Sequence, residues 1–267
     1  MLDSIPLPLS EGEPNIIRGS GRRIATDAGA MLDAEAGTPP WAEAAVDAIF
    51  DPQQWRRRAS AVPAARGRGG TWFVGDDARA WVLRHYRRGG FVARCLADRY
   101  LWTGEDRVRA FAEWRLLDRL WRRGAPVPRP IAARYRRVGL FYRCDLITVR
   151  IADARPLSER LTEGDVPLAL WRALGTAVAR LHREGVDHAD LNAHNVLVDD
   201  EGRISFIDFD RGRVRADGRW AARNLRRLRR SLRKLGADRA PRAFDAGWRA
   251  LLGAYAAERA APPPTDG

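Results

Sequence analysis

The chain has 267 residues, enough to bury a large core in one bilobal unit or two small domains, and 47 lysines and arginines against 34 aspartates and glutamates leave a formal charge of +13. That field favours a polyanion such as nucleic acid, an anionic membrane surface or a phosphorylated substrate, although Lys234 is the only lysine and so arginine-rich a composition also follows from a GC-rich genome. No apolar run reaches the ~18 residues of a membrane span, no basic lead precedes an apolar core at the start, and Cys95 and Cys144 carry neither metal spacing nor a disulfide framework, which fits a reducing cytoplasm.

Residues 1–40 mix proline, glycine and charge without periodicity and are expected to form a poorly ordered extension, with Met31 as an alternative start. Trp41 to Trp55 reads as a short helix ended near Asp51-Pro52. Arg66-Gly67-Arg68-Gly69-Gly70 then leads into Thr71–Val74, a turn at Gly75-Asp76-Asp77, and Trp81–Tyr86. This is strand, turn, strand behind a glycine-rich lead, whose backbone N–H groups can approach a phosphate. An ordinary flexible turn is the competing reading, because Trp72 stands where G-x-G-x-x-G has its last glycine.

Val108 to Arg123 repeats Phe111, Trp114, Leu117, Leu120 and Trp121 at helical spacing. Glu113 falls on the inward face with Leu117 and Leu120, where a carboxylate needs a cation. Arg84, after Trp81-Val82-Leu83, is the natural partner; Arg109 and Arg115 are the local alternatives. Gly124 to Pro130 stops the helix and leads to strands at Ile131–Tyr135 and Leu140–Thr148. Val149-Arg150-Ile151 follows as a hinge whose backbone could meet an adenine ring. Leu170, Leu174, Val178 and Leu181 stripe a helix that runs into Gly185.

His188-Ala-Asp190-Leu-Asn-Ala-His-Asn195 comes next, then Val196–Val198, a polar turn at Asp199–Gly202, Ile204–Ile207, and Asp208-Phe209-Asp210. A hairpin brings its own ends together, so Asp190, Asn195 and Asp208 should converge, and two carboxylates with an amide oxygen suit Mg²⁺. His188 reads as a brace for the loop; His194 and Asp210 stay open between packing and contact with substrate or metal. The pair H-x-D-x-x-x-x-N and D-F-x resembles the catalytic and metal loops of the protein-kinase-like fold. In that fold a third-strand cation holds the nucleotide phosphates, and with no lysine nearby Arg84 takes the place. Farther on, Trp220 to Leu235 is a helix with one leucine row (Leu225, Leu228, Leu232, Leu235) and a crowd of arginines. It reads as a packed helix with a solvated arginine face, or as a basic amphipathic helix that meets anionic lipid. Residues 244–259 form a last helix and 261–267 a tail.

Several segments together resemble the 3-deoxy-D-manno-octulosonic acid (Kdo) kinases of the lipopolysaccharide kinase family. They are Phe50-Asp-Pro-Gln-Gln-Trp55, Arg66-Gly-Arg-Gly-Gly-Thr-Trp72, Leu83-Arg-His-Tyr-Arg-Arg-Gly-Gly90, Pro126-Val-Pro-Arg-Pro-Ile-Ala-Ala133, His188–Asn195, Ile207-Asp-Phe-Asp-Arg-Gly212 and Asn224–Lys234. The expected fold is α+β and bilobal: a β-rich N-lobe over 41–148 with one main helix, and a mostly helical C-lobe over 149–260 carrying the catalytic hairpin. The resemblance implies ATP-dependent phosphorylation of the 4-hydroxyl of Kdo in Kdo-lipid A, at the cytoplasmic face of a Gram-negative inner membrane. In the implied mechanism Asp190 is the base and Asn195 and Asp208 hold Mg²⁺. Arg84, oriented by Glu113, would neutralise the ATP phosphates, with Gly67, Gly69 and Gly70 covering them. No nucleic acid and no obligate protein partner are expected. A heptose or aminoglycoside phosphotransferase would share every one of these catalytic residues, and a pseudokinase-like binding module is the alternative that Arg84 and the imperfect glycine lead suggest.

Overall fold

The computed structural model describes residues 15–19, 22–26, 47–57, 61–63, 70–76, 79–87, 98–164, 166–237 and 240–262. These fall into two compact units, one made of residues up to Asp118 with Arg129–Arg150, the other of Arg119–Pro128 with the residues from Ile151 onward.

The first unit is built on an antiparallel sheet. Its strands are β1 (Asn15–Gly19), β2 (Arg22–Thr26), β3 (Ala61–Pro63), β4 (Thr71–Asp76), β5 (Arg79–His85), β6 (Tyr100–Leu101), β7 (Pro130–Val138) and β8 (Phe141–Val149). The order across the sheet is β1-β2-β7-β8-β5-β4-β3, with β6 also paired to β8. Two registers place the chemistry: Leu83 opposite Ile147, Arg84 opposite Leu146 and His85 opposite Asp145 between β5 and β8, and Arg134 opposite Asp145 between β7 and β8. Successive side chains of a strand point to opposite faces, so Arg84 and His85 are sent to different sides of one sheet. On the His85 side, Trp81, Leu83 and Ile147 pack with Ile49, Phe50 and Trp55. Trp55 sits in the short helix α1 (Pro52–Arg56), whose N-terminus is capped by Asp51 accepting from Gln53 N at 2.8 Å. On the Arg84 side lies helix α2 (Arg109–Arg122), its Phe111, Trp114 and Leu117 buried and Phe111 edge-on to Tyr135 at 5.2 Å. The region 1–40, expected to lack order, contributes β1 and β2, because Arg22–Thr26 pairs along β7 from Arg136 to Ala132.

The second unit contains β9 (Arg155–Pro156), α3 (Leu157–Glu163), α4 (Leu168–Arg183), β10 (Val186–Asp187), the hairpin β11 (Val196–Val198) and β12 (Ile204–Phe206), β13 (Arg213–Val214), α5 (Trp220–Leu232) and α6 (Pro241–Ala260). Helices α4 and α6 approach so closely that a Cβ on Gly175 would fall 2.2 Å from the Leu251 carbonyl oxygen, so only glycine fits there. In α5 Leu228 and Leu232 are buried while Arg226, Arg229 and Arg230 are exposed, which is the packed-helix reading of its leucine row. The helix ends in a wide π-helical turn, Arg233–Ala237. None of the described helices is long and apolar enough to cross a membrane.

Candidate active site

In the first unit, Glu113 is buried (3 % exposed) on the α2 face toward the sheet. The Arg84 guanidinium donates to Glu113 Oε2 and, at 2.9 Å, to the Tyr86 hydroxyl, and it lies 4.6 Å over the Tyr86 ring. Tyr86 O–H donates to the same glutamate oxygen at 2.5 Å. Burial pushes Tyr86 well above its ordinary phenol value, so it stays a donor. A buried carboxylate is thereby satisfied by a cation and a hydroxyl. Arg115 pairs with Asp106 at 3.2 Å and Arg109 lies 4.7 Å over Tyr100. Tyr86 was not anticipated; its signal is an aromatic hydroxyl two residues after Arg84, on the same face of one strand.

Three other nucleotide contacts expected in this unit stand differently. Gly67 and Gly69 lie outside the described residues. Gly70 is buried, receives the His85 N–H on its carbonyl at 2.6 Å, and would put a Cβ 2.7 Å from the His85 carbonyl oxygen. Its glycine is therefore required by the approach of the chain to β5. Val149 donates its N–H to Arg129 O at 2.8 Å, and Arg150 donates to Ala80 O at 2.8 Å. The Val149 N–H is thus committed to Arg129 O, and its side chain packs against the core cluster, as does that of Trp72. Ile151 begins the second unit and is half-buried.

The opposite face of β5 carries a charge network that the sequence did not announce. Asp145 accepts from Arg134 Nε at 3.0 Å and Nη2 at 2.8 Å, and its other oxygen meets His85 Nδ1 at 2.6 Å. Arg134 also donates to Asp47 at 3.0 Å, and His85 Nε2 lies 3.5 Å from Asp98. Burial alone would raise Asp145, but the His85 hydrogen bond and the Arg134 charge outweigh it and hold the carboxyl below its ordinary range. His85 is raised, first by its hydrogen bond to Asp145, which overcomes the opposing effect of burial, and further by the charges of Asp145 and Asp98. On the Arg84 side of the sheet, toward α2, Cys144 is fully buried and free of a disulfide, its thiol pushed up to about 12 by burial.

In the second unit the loop His188–Asn195 is braced from beneath. His188 is fully buried; its Nδ1 accepts the Asp190 N–H at 3.2 Å and its Nε2 lies 3.1 Å from Ile207 O. Those partners assign the proton to Nε2, and burial lowers the pKa of the ring, which keeps it neutral. Asn224 accepts the His188 N–H at 3.1 Å and donates to buried Asp187 at 2.9 Å, which also pairs with Arg215 and Arg223 at 3.1 Å. Asp190 stays exposed above this brace, with Asn195 Nδ2 and Asn192 Nδ2 both donating to its backbone oxygen, at 3.0 and 2.9 Å. Asn195 O in turn receives the Ile207 N–H at 3.0 Å, one residue before Asp208. The hairpin pairing of Val196 with Phe206 closes the same gap. Asp208 ends this path in the left-handed backbone region (φ +63), which aspartate tolerates.

Asn195 Nδ2 donates to Asp190 O, so its side-chain oxygen is the atom that, with the carboxylate of Asp208 one residue beyond Ile207, would hold a hard cation. Among the described residues no group of three or more His, Cys, Asp or Glu is arranged to hold a metal. An oxygen pair that shares the remaining coordination with phosphate and water is the usual way Mg²⁺ is held beside a nucleotide. The donor set fits that ion. From α5, Arg227 donates to Ala189 O and sits 3.6 Å from the Asp190 carboxylate, and Ser231 accepts the Ala193 N–H at 3.1 Å.

Residues 52–255 match the model of the lipopolysaccharide kinase (Kdo/WaaP) family. The chain is 49 % identical over 208 residues to the 3-deoxy-D-manno-octulosonic acid kinase of Xanthomonas axonopodis pv. citri, an alignment that covers 78 % of this chain and 83 % of that protein. The protein of the same name from Stenotrophomonas maltophilia is 47 % identical over 213 residues, covering 75 % of this chain and 84 % of its own.

Proposed function

Because the chain belongs to the lipopolysaccharide kinase (Kdo/WaaP) family, we propose that it transfers the γ-phosphoryl group of ATP to the 4-hydroxyl of Kdo in Kdo-lipid A. Membership in a kinase family of this kind implies ATP as phosphoryl donor and a hydroxyl as acceptor. The Kdo acceptor is carried over from the names of the relatives, and inner-core lipopolysaccharide assembly is the setting it suggests. The observation that carries the catalytic reading is the hydrogen-bond chain from Asp190 through Asn195 to Ile207, which ties the base and both metal-ligand residues to one braced loop.

In this reading Asp190 takes the proton of the acceptor hydroxyl as its oxygen bonds to the γ-phosphorus and the bond to the β-phosphate oxygen breaks. Neutral His188 fixes the Asp190 backbone, and Arg227 orients the carboxylate. Asn195 and Asp208 are the residues that would hold Mg²⁺, which supplies charge neutralisation at the phosphates. Arg84 adds a second cation for them, presented by Glu113 and Tyr86. Gly67, Gly69 and Gly70 covering the phosphates, with Val149 and Ile151 near adenine, remain part of the proposal; Val149 would serve there by its side chain. The exposed Arg226, Arg229 and Arg233 of the arginine-rich helix support peripheral attachment to an anionic surface, here the cytoplasmic face of the inner membrane.

The test is transfer of label from ATP to purified Kdo-lipid A, with heptosylated acceptors and aminoglycosides in parallel. Transfer to the Kdo acceptor should dominate and fall about 1,000-fold in Asp190→Asn. Label passing only to another acceptor would retain the chemistry and remove the Kdo assignment.

A further inference from the structure

Beside Asp190 the second unit forms a groove of about 500 Å³ lined by Asp190, Asn192, Arg227, Arg230, Ser231 and Lys234. Arg230 and Lys234 lie four residues apart on α5 and its terminal π-helical turn, so both face the same groove. Their situations differ from that of Arg227. Arg227 is engaged with the catalytic loop through Ala189 O and the Asp190 carboxylate. Arg230 and Lys234 are exposed, and among the described residues neither is paired with a carboxylate. Three cations thus line the groove with one carboxylate, and two of them have no carboxylate partner among the described residues. A groove of this kind beside a base selects an acceptor that brings its own negative charge.

We propose that Arg230 and Lys234 form an anion subsite for the acceptor, holding its carboxylate or phosphate so that a hydroxyl of the same molecule reaches Asp190. The proposal rests on the sugar-kinase reading above. It makes Arg230 and Lys234 specificity-determining residues and leaves phosphoryl transfer itself to Asp190. The sites of negative charge in a Kdo-bearing lipid are the sugar carboxylate and the lipid A phosphates, and either chemistry suits a guanidinium beside an ammonium.

Lys234 is the only lysine of the chain, so reductive methylation followed by mass spectrometry reads this groove at one ε-amine, with the α-amine as internal reference. Kdo-lipid A should slow Lys234 methylation at least about tenfold relative to that reference, while Mg-ATP alone should not. Lipid A lacking Kdo and dephosphorylated Kdo-lipid A identify the anion: lost protection with the first assigns the sugar carboxylate, with the second the phosphate. Arg230→Gln and Lys234→Gln should each raise the acceptor KM by about 10- to 100-fold, the loss of one charge-assisted hydrogen bond, with the ATP KM unchanged and Lys234→Arg restoring most of the affinity. Equal protection by phosphatidylglycerol vesicles would overturn the subsite in favour of a headgroup surface. Wild-type transfer to Kdo-lipid A with Lys234 unprotected and both KM values unchanged would overturn the subsite and leave the reaction standing. Protection without transfer would keep the subsite and remove the proposed reaction.

Discussion

Two adjacent residues of β5, Arg84 and His85, each reach a buried carboxylate, and they do so on opposite faces of one sheet. On one face Arg84 and Tyr86 share Glu113; on the other His85 and Arg134 share Asp145. The chemistry of the two clusters is similar, yet their charge balance is not. Asp145 divides its two oxygens between a guanidinium and an imidazole, and Arg134, only 7 % exposed, is tied again to Asp47, so the guanidinium of that network is fully engaged. Arg84 is pinned to one glutamate oxygen and to Tyr86 while its side chain keeps 22 % exposure. A buried and fully engaged guanidinium serves the fold, whereas a pinned and partly open one can serve a ligand as well.

Substitutions can break that contrast. Arg84→Ala should lower kcat by about 100- to 1,000-fold, the effect of removing one preorganised charge donor, with a smaller change in thermal stability; equal loss of stability and activity would reduce Arg84 to a structural role. Glu113→Gln should cost both, because Arg84 loses its counter-charge, and kinetics beside thermal melting would separate the two. Asp145→Ala should lower stability by about 3 kcal/mol, as when one partner of a buried pair is removed, while the folded fraction keeps its turnover.

A finer test is titration. His85 titrates above its ordinary 6.5, so its contribution is complete below that value and is lost as pH rises through the raised pKa. Asp145 titrates below its ordinary 3.8, so its contribution is complete above that value and is lost as pH falls through the lowered pKa. The stability difference between the wild type and His85→Gln, measured by denaturant unfolding, should therefore be largest between pH 3.8 and 6.5 and shrink on the alkaline side. A difference flat from pH 5 to 9 would remove His85 from the network. Gly175→Ala in the other unit should lower stability without any pH dependence, since its cost is a steric collision with Leu251 O.

The elements legible in the sequence are those in which local pattern and tertiary need coincide. Val196–Val198 and Ile204–Phe206 are β-branched and aromatic runs around a polar turn, and they pair in that register. Phe111, Trp114 and Leu117 declare the inward face of α2, and Glu113 on that face demanded a cation before any partner was seen. What stayed hidden depends on distant chain. Arg22–Thr26 becomes a strand only by lying along β7, and Arg155–Pro156 only by pairing with Leu197 and Val198. Asp145 and Arg134 read as ordinary alternation until the register sets them opposite one another. Among the crowded arginines of α5 nothing local singles out Arg227 and Arg230, since the choice is made by where the His188–Asn195 loop crosses the helix.

Cys144 turns this architecture into a clock. Its thiol lies on β8, on the face toward Glu113 and opposite to that of Asp145, and its pKa of about 12 leaves almost no thiolate while the strand stays paired. Alkylation at that sulfur must wait for the central strand to open, so its rate counts openings of the first unit alone. The same mass spectrum, read at the Cys144 peptide apart from that of Cys95, shows over time how often the strand that carries Asp145 and pairs with Arg84 and His85 comes apart.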